Sequence, residues 1–326
     1  MNGDGILDIV STDLNLDQVT SGGIVRVFLG KGDGTFAKAV NYVAGNNLSS
    51  LALADFNGDG HIDIAVADVS SSNVAILLNK GDGTFAAPVN YPSGPNPYSL
   101  GTADFNGDGH ADLAVTNYCD VSQEKGNCPS TQTTVAVLLG NGDGTFASPV
   151  TYQAGNGPFD LAIGDFNGDG KPDLAVTLGT LMSVSVLLNN GDGTFQSPLN
   201  YAVGAGSYLG LGDFNGDGSP GLVLPTDTGL EELQGTGKGG FYAAVNYFVQ
   251  GALYGLPGVG DLNGDGRPDI VVATDVTETI SVFLNAGGTS RSATAVQLTS
   301  SQNPMVLSTE RRTPLIVVVA RGRNWY

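Results

Sequence analysis

An all-β fold of repeated four-stranded antiparallel units is what this sequence predicts, and three observations predict it. One phrase recurs six times: GDGILD at 3–8, DFNGDGHID at 55–63, DFNGDGHAD at 104–112, DFNGDGKPD at 165–173, DFNGDGSPG at 213–221 and DLNGDGRPD at 261–269. Between the central Asp residues of these phrases (Asp4, Asp59, Asp108, Asp169, Asp217, Asp265) the intervals are 55, 49, 61, 48 and 48 residues, and a period near the shortest of these suits one four-stranded blade. Helical periodicity is absent, while short runs rich in β-branched residues alternate with glycine-rich turns. The expected fold is therefore an all-β β-propeller of four-stranded antiparallel blades with six repeats visible.

The second copy shows the elements in order. LALADF (51–56) reads as an apolar strand, DFNGDGHID turns the chain, IDIAVAD (62–68) alternates in the manner of a strand, and VAILLN (74–79) follows a polar loop. KGDGTF (80–85) reads as a tight hairpin, because Asp-Gly supplies the positive φ that primed turns require. The last strand runs through PVNY (88–91). The hairpin phrase recurs as GKGDGTF (30–36), GNGDGTF (140–146) and NNGDGTF (189–195), then decays to GTGKGGF (235–241) and NAGGTS (285–290). A turn tolerates that decay and a ligand site does not, so Asp33, Asp82, Asp143 and Asp192 are read as turn residues. Phe36, Phe85, Phe146 and Phe195, with Tyr42, Tyr91, Tyr152, Tyr201 and Tyr247, hold fixed places in the repeat and are expected to pack between adjacent blades.

Charge points to a cation. The formal net charge is -19 although only 14% of residues are charged, and sixteen of the 32 acidic residues lie inside the six phrases. A solvated acidic tail would be a run of like charge poor in apolar residues, whereas 41% of this chain is apolar. In D-x-N-x-D-G-x-x-D, positions 1, 3, 5 and 9 offer side-chain oxygens, position 7 a backbone carbonyl, and Gly at position 6 allows the bend. Hard oxygen donors in a compact loop select calcium. The second copy offers Asp55, Asn57, Asp59 and Asp63 with the carbonyl of His61; the third Asp104, Asn106, Asp108 and Asp112 with His110. The fourth offers Asp165, Asn167, Asp169 and Asp173 with Lys171; the sixth Asp261, Asn263, Asp265 and Asp269 with Arg267. The fifth keeps Asp213, Asn215 and Asp217 but has Gly221 at the ninth position, and in the first Asn2, Asp4 and Asp8 fill only the third, fifth and ninth. Four well-formed calcium sites and up to two weaker ones are expected. The competing reading, an Asx-rich turn without metal, gives no reason for the ninth-position Asp.

The quoted residues, DFNGDGHIDIAVAD followed by VAILLN, GDGTF and PVNY, resemble the FG-GAP or VCBS-type repeats of bacterial surface and secreted proteins, akin to the integrin α-chain propeller. The resemblance covers about residues 1–290 and implies a β-propeller, usually seven-bladed, with calcium loops between the first and second strands of its blades. Six units are counted here, the first incomplete, which is read as a longer natural chain cut upstream together with any export signal. Residues 291–326 are expected to be a separate tail; SATAVQLTSSQNP (292–304) is similar to the opening strand of a bacterial immunoglobulin-like module. Secretion or cell-surface display follows from the resemblance, and flanking domains are expected. Cys119 and Cys128 lie in the insertion that lengthens the third interval, read either as a disulfide formed in an oxidising compartment or as two unrelated thiols.

Composition also narrows the partners. An acidic body repels phosphates, so no nucleic acid is expected, although five of the thirteen basic residues (Arg291, Arg311, Arg312, Arg321, Arg323) fall in the tail. Membrane insertion is not expected, since no apolar run reaches the length of a spanning helix. Both histidines, His61 and His110, occupy position 7 of the loops, with side chains expected to face water, and no Ser-His or Cys-His pairing stands out. An extracellular recognition or adhesion module for carbohydrate or protein is therefore preferred to a polysaccharide-acting, lyase-like enzyme or its accessory domain. The candidate ligand face lies at the strand ends away from the acidic loops. There Tyr98 and Phe159 stand six residues ahead of their motif Asp, and Tyr208 and Tyr254 within one residue of that place, read either as a recognition surface or as rings that plug the central channel.

Overall fold

The computed structural model describes residues 1–13, 22–118, 133–179, 182–204, 206–248, 253–274, 279–285, 287, 295–298 and 318–320. Among them lie strands and no helix, grouped in six four-stranded sheets. The first sheet holds β1 (Asp8–Asp13), β2 (Gly23–Phe28) and β3 (Val40–Gly45). The second holds β4 (Leu48–Ala54), β5 (Asp63–Asp68), β6 (Asn73–Leu77) and β7 (Val89–Pro92). The third holds β8 (Pro97–Ala103), β9 (Asp112–Asn117), β10 (Thr134–Leu138) and β11 (Val150–Gln153). The fourth comprises β12 (Pro158–Gly164), β13 (Asp173–Leu178), β14 (Ser183–Leu187) and β15 (Leu199–Ala202). The fifth comprises β16 (Gly210–Gly212), β17 (Gly221–Thr226), β18 (Gly229–Leu233) and β19 (Val245–Phe248). The sixth comprises β20 (Leu253–Gly260), β21 (Asp269–Thr274), β22 (Thr279–Phe283) and β23 (Ala295–Leu298), and β24 (Val318–Ala320) returns to the first. In the second to sixth sheets the strands lie in chain order, in the first β24 stands beside β1, and neighbouring strands run antiparallel, the blades of a propeller-type fold.

The chain forms two compact units. One contains Met1–Pro158, Gly191–Thr194 and Leu315–Tyr326; the other contains Phe159–Asn190 and Phe195–Pro314. Inside each unit the period-2 alternation of a strand divides its residues between two cores. On β5, Ile64 and Val66 join the cluster of Val10, Val25, Val27 and Leu48, while Ala65 and Ala67 join the cluster of Phe56, Leu113, Val115 and Leu138. In the second unit, Leu222 and Leu224 face the cluster of Phe166 and Val186, and Val223 faces Ile270 and Phe283. Central strands are thus buried on both faces, which is why β5, β9, β13 and β17 are buried throughout although each carries polar residues. Each fully buried Val, Leu or Ile contributes about 1.5–3 kcal/mol, so these shared cores hold neighbouring blades together.

Two boundaries differ from the sequence reading. The first strand of the second blade ends at Ala54 rather than Phe56, because the Asp55 carboxylate accepts backbone N–H groups of the following loop and draws the chain out of the ladder. The expected separate tail is drawn into the blades at two places. β23 pairs with β22 as the fourth strand of the sixth sheet, with Ile280 opposite Leu298. β24 pairs with β1, with Asp8 opposite Ala320, in the place that β4 holds beside β5 in the second sheet. Paired backbone N–H and C=O groups are the physical reason: a strand edge left open beside β1 or β22 offers a ladder of unmet donors and acceptors.

The hairpin turns also differ in detail. In KGDGTF the positive φ values belong to Gly81 (88°) and Gly83 (80°), and Asp82 is not among the positive-φ residues. Asp82 serves instead through its side chain, whose Oδ1 accepts the Thr84 N–H at 2.9 Å and the Thr84 hydroxyl at 2.6 Å. Asp33, Asp143 and Asp192 repeat both bonds with Thr35, Thr145 and Thr194. The aspartates are turn residues, as expected.

The repeated aromatics clasp one blade to the next. Phe146 stands edge-on to Phe56 (5.6 Å between centroids, 64°) and to Tyr91 (5.3 Å, 71°), and Phe241 does the same to Phe166 (5.7 Å, 71°) and Tyr201 (5.3 Å, 81°). The Tyr91 and Tyr201 hydroxyls donate to the Gly144 and Gly239 carbonyls at 3.2 Å, and the same glycines donate their N–H to the carbonyls of Phe56 and Phe166. Tyr42 meets Phe85 in the same manner at 5.5 Å.

Candidate functional site

The acidic loops are built by their first residue. In the second copy Asp55 Oδ1 accepts N–H groups from Gly58 (2.8 Å) and Asp59 (3.2 Å), and Oδ2 accepts from Gly60 (2.7 Å). Asn57 Oδ1 accepts the Asp59 N–H at 3.1 Å, Asp59 Oδ1 accepts the His61 N–H at 2.8 Å, and Asn57 Nδ2 donates to Asp59 Oδ2 at 2.9 Å. Gly58 and Gly60 take φ of 72° and 83°, which residues with a Cβ rarely adopt. The Asp104–Asn106–Asp108, Asp165–Asn167–Asp169 and Asp261–Asn263–Asp265 loops repeat the first-residue bonds. Asp213, Asn215 and Asp217 form the same loop although Gly221 replaces the ninth-position Asp. In the first copy, Asn2 and Asp4 keep the third-to-fifth bonds, at 3.3 Å for the Asp4 N–H on Asn2 Oδ1.

The ninth-position Asp does something else. Asp63 is fully buried, and its Oδ2 accepts the Phe56 N–H at 2.9 Å while its Oδ1 accepts the Asn79 N–H at 2.7 Å. One carboxylate thus joins the loop's entry to the end of the third strand. Asp112 (Phe105, 2.8 Å; Gly140, 2.7 Å), Asp173 (Phe166, 3.0 Å; Asn189, 2.8 Å) and Asp269 (Leu262, 3.0 Å; Asn285, 2.7 Å) repeat the strut. Asp8 accepts Gly30 N–H at 2.9 Å and the Met1 ammonium at 2.6 Å. This gives the ninth-position Asp a role that needs no metal, which sequence reasoning did not find. Desolvation is costly for such a group: burial pushes Asp63 and Asp173 up to about 6 from 3.8, against the two backbone bonds that lower them, and pushes Asp112 up as well.

These residues were also read as calcium donors, and the donor set fits a hard cation in kind: side-chain carboxylate and amide oxygens within one short loop. A carboxylate has about four lone-pair sites, so two N–H bonds on Asp63 do not exhaust it. Among the described residues, no group of three or more His, Cys, Asp or Glu side chains converges as a metal cluster. The seventh-position side chains do not simply face water. The His61 ring lies over Gly81, where an added Cβ would stand 2.7 Å from Nε2; Arg267 covers Gly287 at the same distance; Lys171 Nζ donates to the Asn190 carbonyl at 2.9 Å. Lys171 and Arg267 also approach Asp169 and Asp265 at 3.7 Å, exposed pairs of small energetic weight. Gly221 is closely packed, since a Cβ there would meet the Leu233 carbonyl at 2.7 Å.

At the other end of the strands lie the candidate ligand-face aromatics. Phe159 begins β12 while the Asp165 loop follows its end, so the two are separated by a seven-residue strand, about 20 Å at the usual rise. Phe159 meets Tyr208 edge-on at 5.2 Å and 78°, both half-buried. Tyr98, at the start of β8, meets Tyr118 at 5.6 Å and 50°. Tyr118 was missed by the sequence reading; the signal is that it directly follows β9, the antiparallel neighbour of β8. The side chain of Tyr254, and Cys119 and Cys128, lie outside the described residues.

Comparison with known proteins agrees with the blades. The model of the FG-GAP-like repeat matches residues 1–66, 55–115, 127–176 and 261–309. No curated protein matches the chain. Among solved structures, it is similar to a functionally unknown protein from Desulfotomaculum acetoxidans (12% identity, TM-score 0.59, covering 89% of this chain and 78% of that one). It is similar too to the dihydro-heme d1 dehydrogenase NirN (15%, TM-score 0.53, 92% and 57%). An Agrocybe aegerita lectin, described as recognising non-reducing terminal N-acetylglucosamine, aligns at 19% identity with a TM-score of 0.44, over 98% of this chain and 96% of that one. At such identities the likeness speaks for the fold alone. With the matched repeats spanning well over half of its length, the chain belongs to the FG-GAP-like repeat family.

Proposed function

We propose that this chain is a calcium-binding extracellular recognition module that takes a carbohydrate or protein ligand at the strand ends remote from its acidic loops. The observation that carries the reading is the pairing of half-buried aromatics, Phe159 with Tyr208 and Tyr98 with Tyr118, at the entrances of strands whose other ends bear the loops. Rings held by a neighbouring ring on a rigid sheet present a preordered surface to a sugar face or an apolar side chain. The loops carry the calcium part of the reading: Asp55, Asn57, Asp59, Asp63 and the His61 carbonyl in the second copy, with their counterparts in the third, fourth and sixth, would hold the ion. When bound, calcium supplies positive charge that offsets repulsion among clustered carboxylates.

A glycan array probed with and without calcium tests the function. The expected result is retention of a defined glycan class that falls on chelation and is lost in Phe159→Ala. Retention indifferent to both treatments, or shortening of an acidic polysaccharide in solution, overturns the reading, the second outcome in favour of an enzyme.

A further inference from the structure

Nine Asn-Gly pairs occur in the chain, and the fold treats them unequally. In such a pair the glycine nitrogen can attack the asparagine side chain, because glycine has no Cβ to obstruct the approach. Five pairs sit in the acidic loops, at 57–58, 106–107, 167–168, 215–216 and 263–264. In all five the first Asp of the loop takes the glycine N–H on its Oδ1 at 2.7–2.8 Å, and the asparagine Oδ1 accepts the N–H two residues on at 2.9–3.1 Å. The attacking nitrogen and the group it would attack are thus both tied down.

Asn141–Gly142, in the hairpin of the third blade, lacks both ties. The Asn141 N–H donates to the Thr145 carbonyl at 2.9 Å, and Gly142 stands at φ 73° with the His110 ring lying over it, where an added Cβ would collide. Asn141 is exposed, and its side chain is held through Nδ2, which donates to Thr145 Oγ1 at 2.8 Å. Among the described residues none accepts the Gly142 N–H and none donates to Asn141 Oδ1. The first two hairpins have Lys31 and Lys80 at this place, so the reactive pair does not arise there. The fourth has Asn190–Gly191, where Lys171 Nζ holds the Asn190 carbonyl at 2.9 Å.

We infer that Asn141–Gly142 is a site of spontaneous self-modification, converting ahead of the asparagines in the acidic loops. Solvent hydroxide takes the Gly142 amide proton, the freed nitrogen attacks Asn141 Cγ, and the Cγ–Nδ2 bond breaks. Nδ2 departs as ammonia on taking a proton from water, which restores the hydroxide. Water then opens the cyclic imide at either carbonyl, leaving aspartate or isoaspartate at position 141 with one added negative charge. The consequence falls on the clasp between the second and third blades. Thr145 Oγ1 gives its own proton to Asp143 Oδ1 and offers position 141 only a lone pair, which suits an amide N–H and repels a carboxylate. Isoaspartate also adds a methylene to the backbone just before Gly144, whose N–H holds the Phe56 carbonyl. This site is independent of calcium binding and of any ligand at the aromatic strand ends.

Peptide mapping by mass spectrometry tests it on the full chain incubated in warm, mildly alkaline buffer, with isoaspartate scored by an isoaspartyl methyltransferase. Conversion at Asn141 is expected to outpace each acidic-loop asparagine by about tenfold or more, and Tm to fall as it proceeds. Asn141→Lys, which installs the residue of the first two hairpins, should hold its Tm through the same incubation. Asp213→Ala, which frees the Gly216 N–H, should speed conversion at Asn215 by about tenfold or more. Conversion at Asn141 no faster than in the loops, a Tm that holds while position 141 converts, or an Asn215 rate unchanged by Asp213→Ala overturns the inference. Where Asp213→Ala does not fold, the order of conversion in the unaltered chain decides.

Discussion

Asp63 holds the backbone N–H of Asn79 at 2.7 Å, and with its other oxygen it holds the N–H of Phe56 at 2.9 Å. Three stretches distant in sequence, the end of β4, the start of β5 and the chain just beyond β6, therefore meet on one buried side chain. The same geometry recurs at Asp112, Asp173 and Asp269, so the residue that completes the loop phrase is also the rivet of its blade.

Removing the rivet should cost more than removing an exposed turn acid. Asp173→Ala strands the Phe166 and Asn189 N–H groups in a fully buried place, with an expected loss of about 2–5 kcal/mol. Asp143→Ala, which loses the bonds to Thr145 in an exposed turn, should cost about 1 kcal/mol or less. Urea midpoints at constant slope measure both, and equal losses would refute the strut.

The buried carboxylates set a pH dependence in the metal-free protein. Burial lifts Asp63 and Asp173 to about 6 from 3.8, so between those values the folded chain binds protons that the unfolded chain has released. Their contribution to stability is full below the unfolded value and is lost as pH rises through about 6, by up to about 3 kcal/mol for each group. Exposed acids such as Asp33, Asp82 and Asp143, lowered by their bonds to threonine, act in the opposite sense, losing stability only as pH falls below 3.8. Urea titrations in EDTA between about pH 4 and pH 7 should show a falling midpoint, flattened in Asp173→Asn; a midpoint that rises throughout contradicts the assignment.

Calcium should stabilise the fold by mass action, by about 2.7 kcal/mol per site at a hundredfold excess over its Kd. EDTA is expected to lower Tm, and Asp169→Ala to remove about one ion of those counted by elemental analysis. A melt that is the same with and without calcium removes the metal from the account.

The clasp predicts a graded series. Tyr91→Phe loses one hydrogen bond, to the Gly144 carbonyl, and should cost about 1 kcal/mol. Phe146→Ala empties the space between Phe56 and Tyr91 and should cost about 3–5 kcal/mol. Chemical denaturation of the two variants checks the order, and a larger loss for Tyr91→Phe would contradict it.

Much of the fold was legible because its signals are local. The period of the DFNGDG phrase, the glycines on either side of Asp59 and Asp82, and the alternation along IDIAVAD depend on neighbours a few residues apart, and the blades follow them. The turn role of Asp82 was readable from its replacement in later copies, although the mechanism lies in Thr84 and the flanking glycines rather than in its own φ. Asp63 was legible as an oxygen donor but not as a strut, because Asn79 lies sixteen residues away and nothing in the phrase announces it. Tyr118 was overlooked for the same kind of reason, being brought to Tyr98 by strand pairing.

By itself the sequence determined the unit: which residues turn, which alternate, and where acids collect, since backbone conformation and period-2 burial are set within a few residues. Tertiary structure alone decided how the units are completed. β24 reaches β1 across most of the chain, β23 is recruited from a stretch without the repeat pattern, and Glu232 meets Tyr247. Strand edges and buried carboxylates must find partners wherever the fold brings them, and those partners are fixed by proximity in space rather than in sequence.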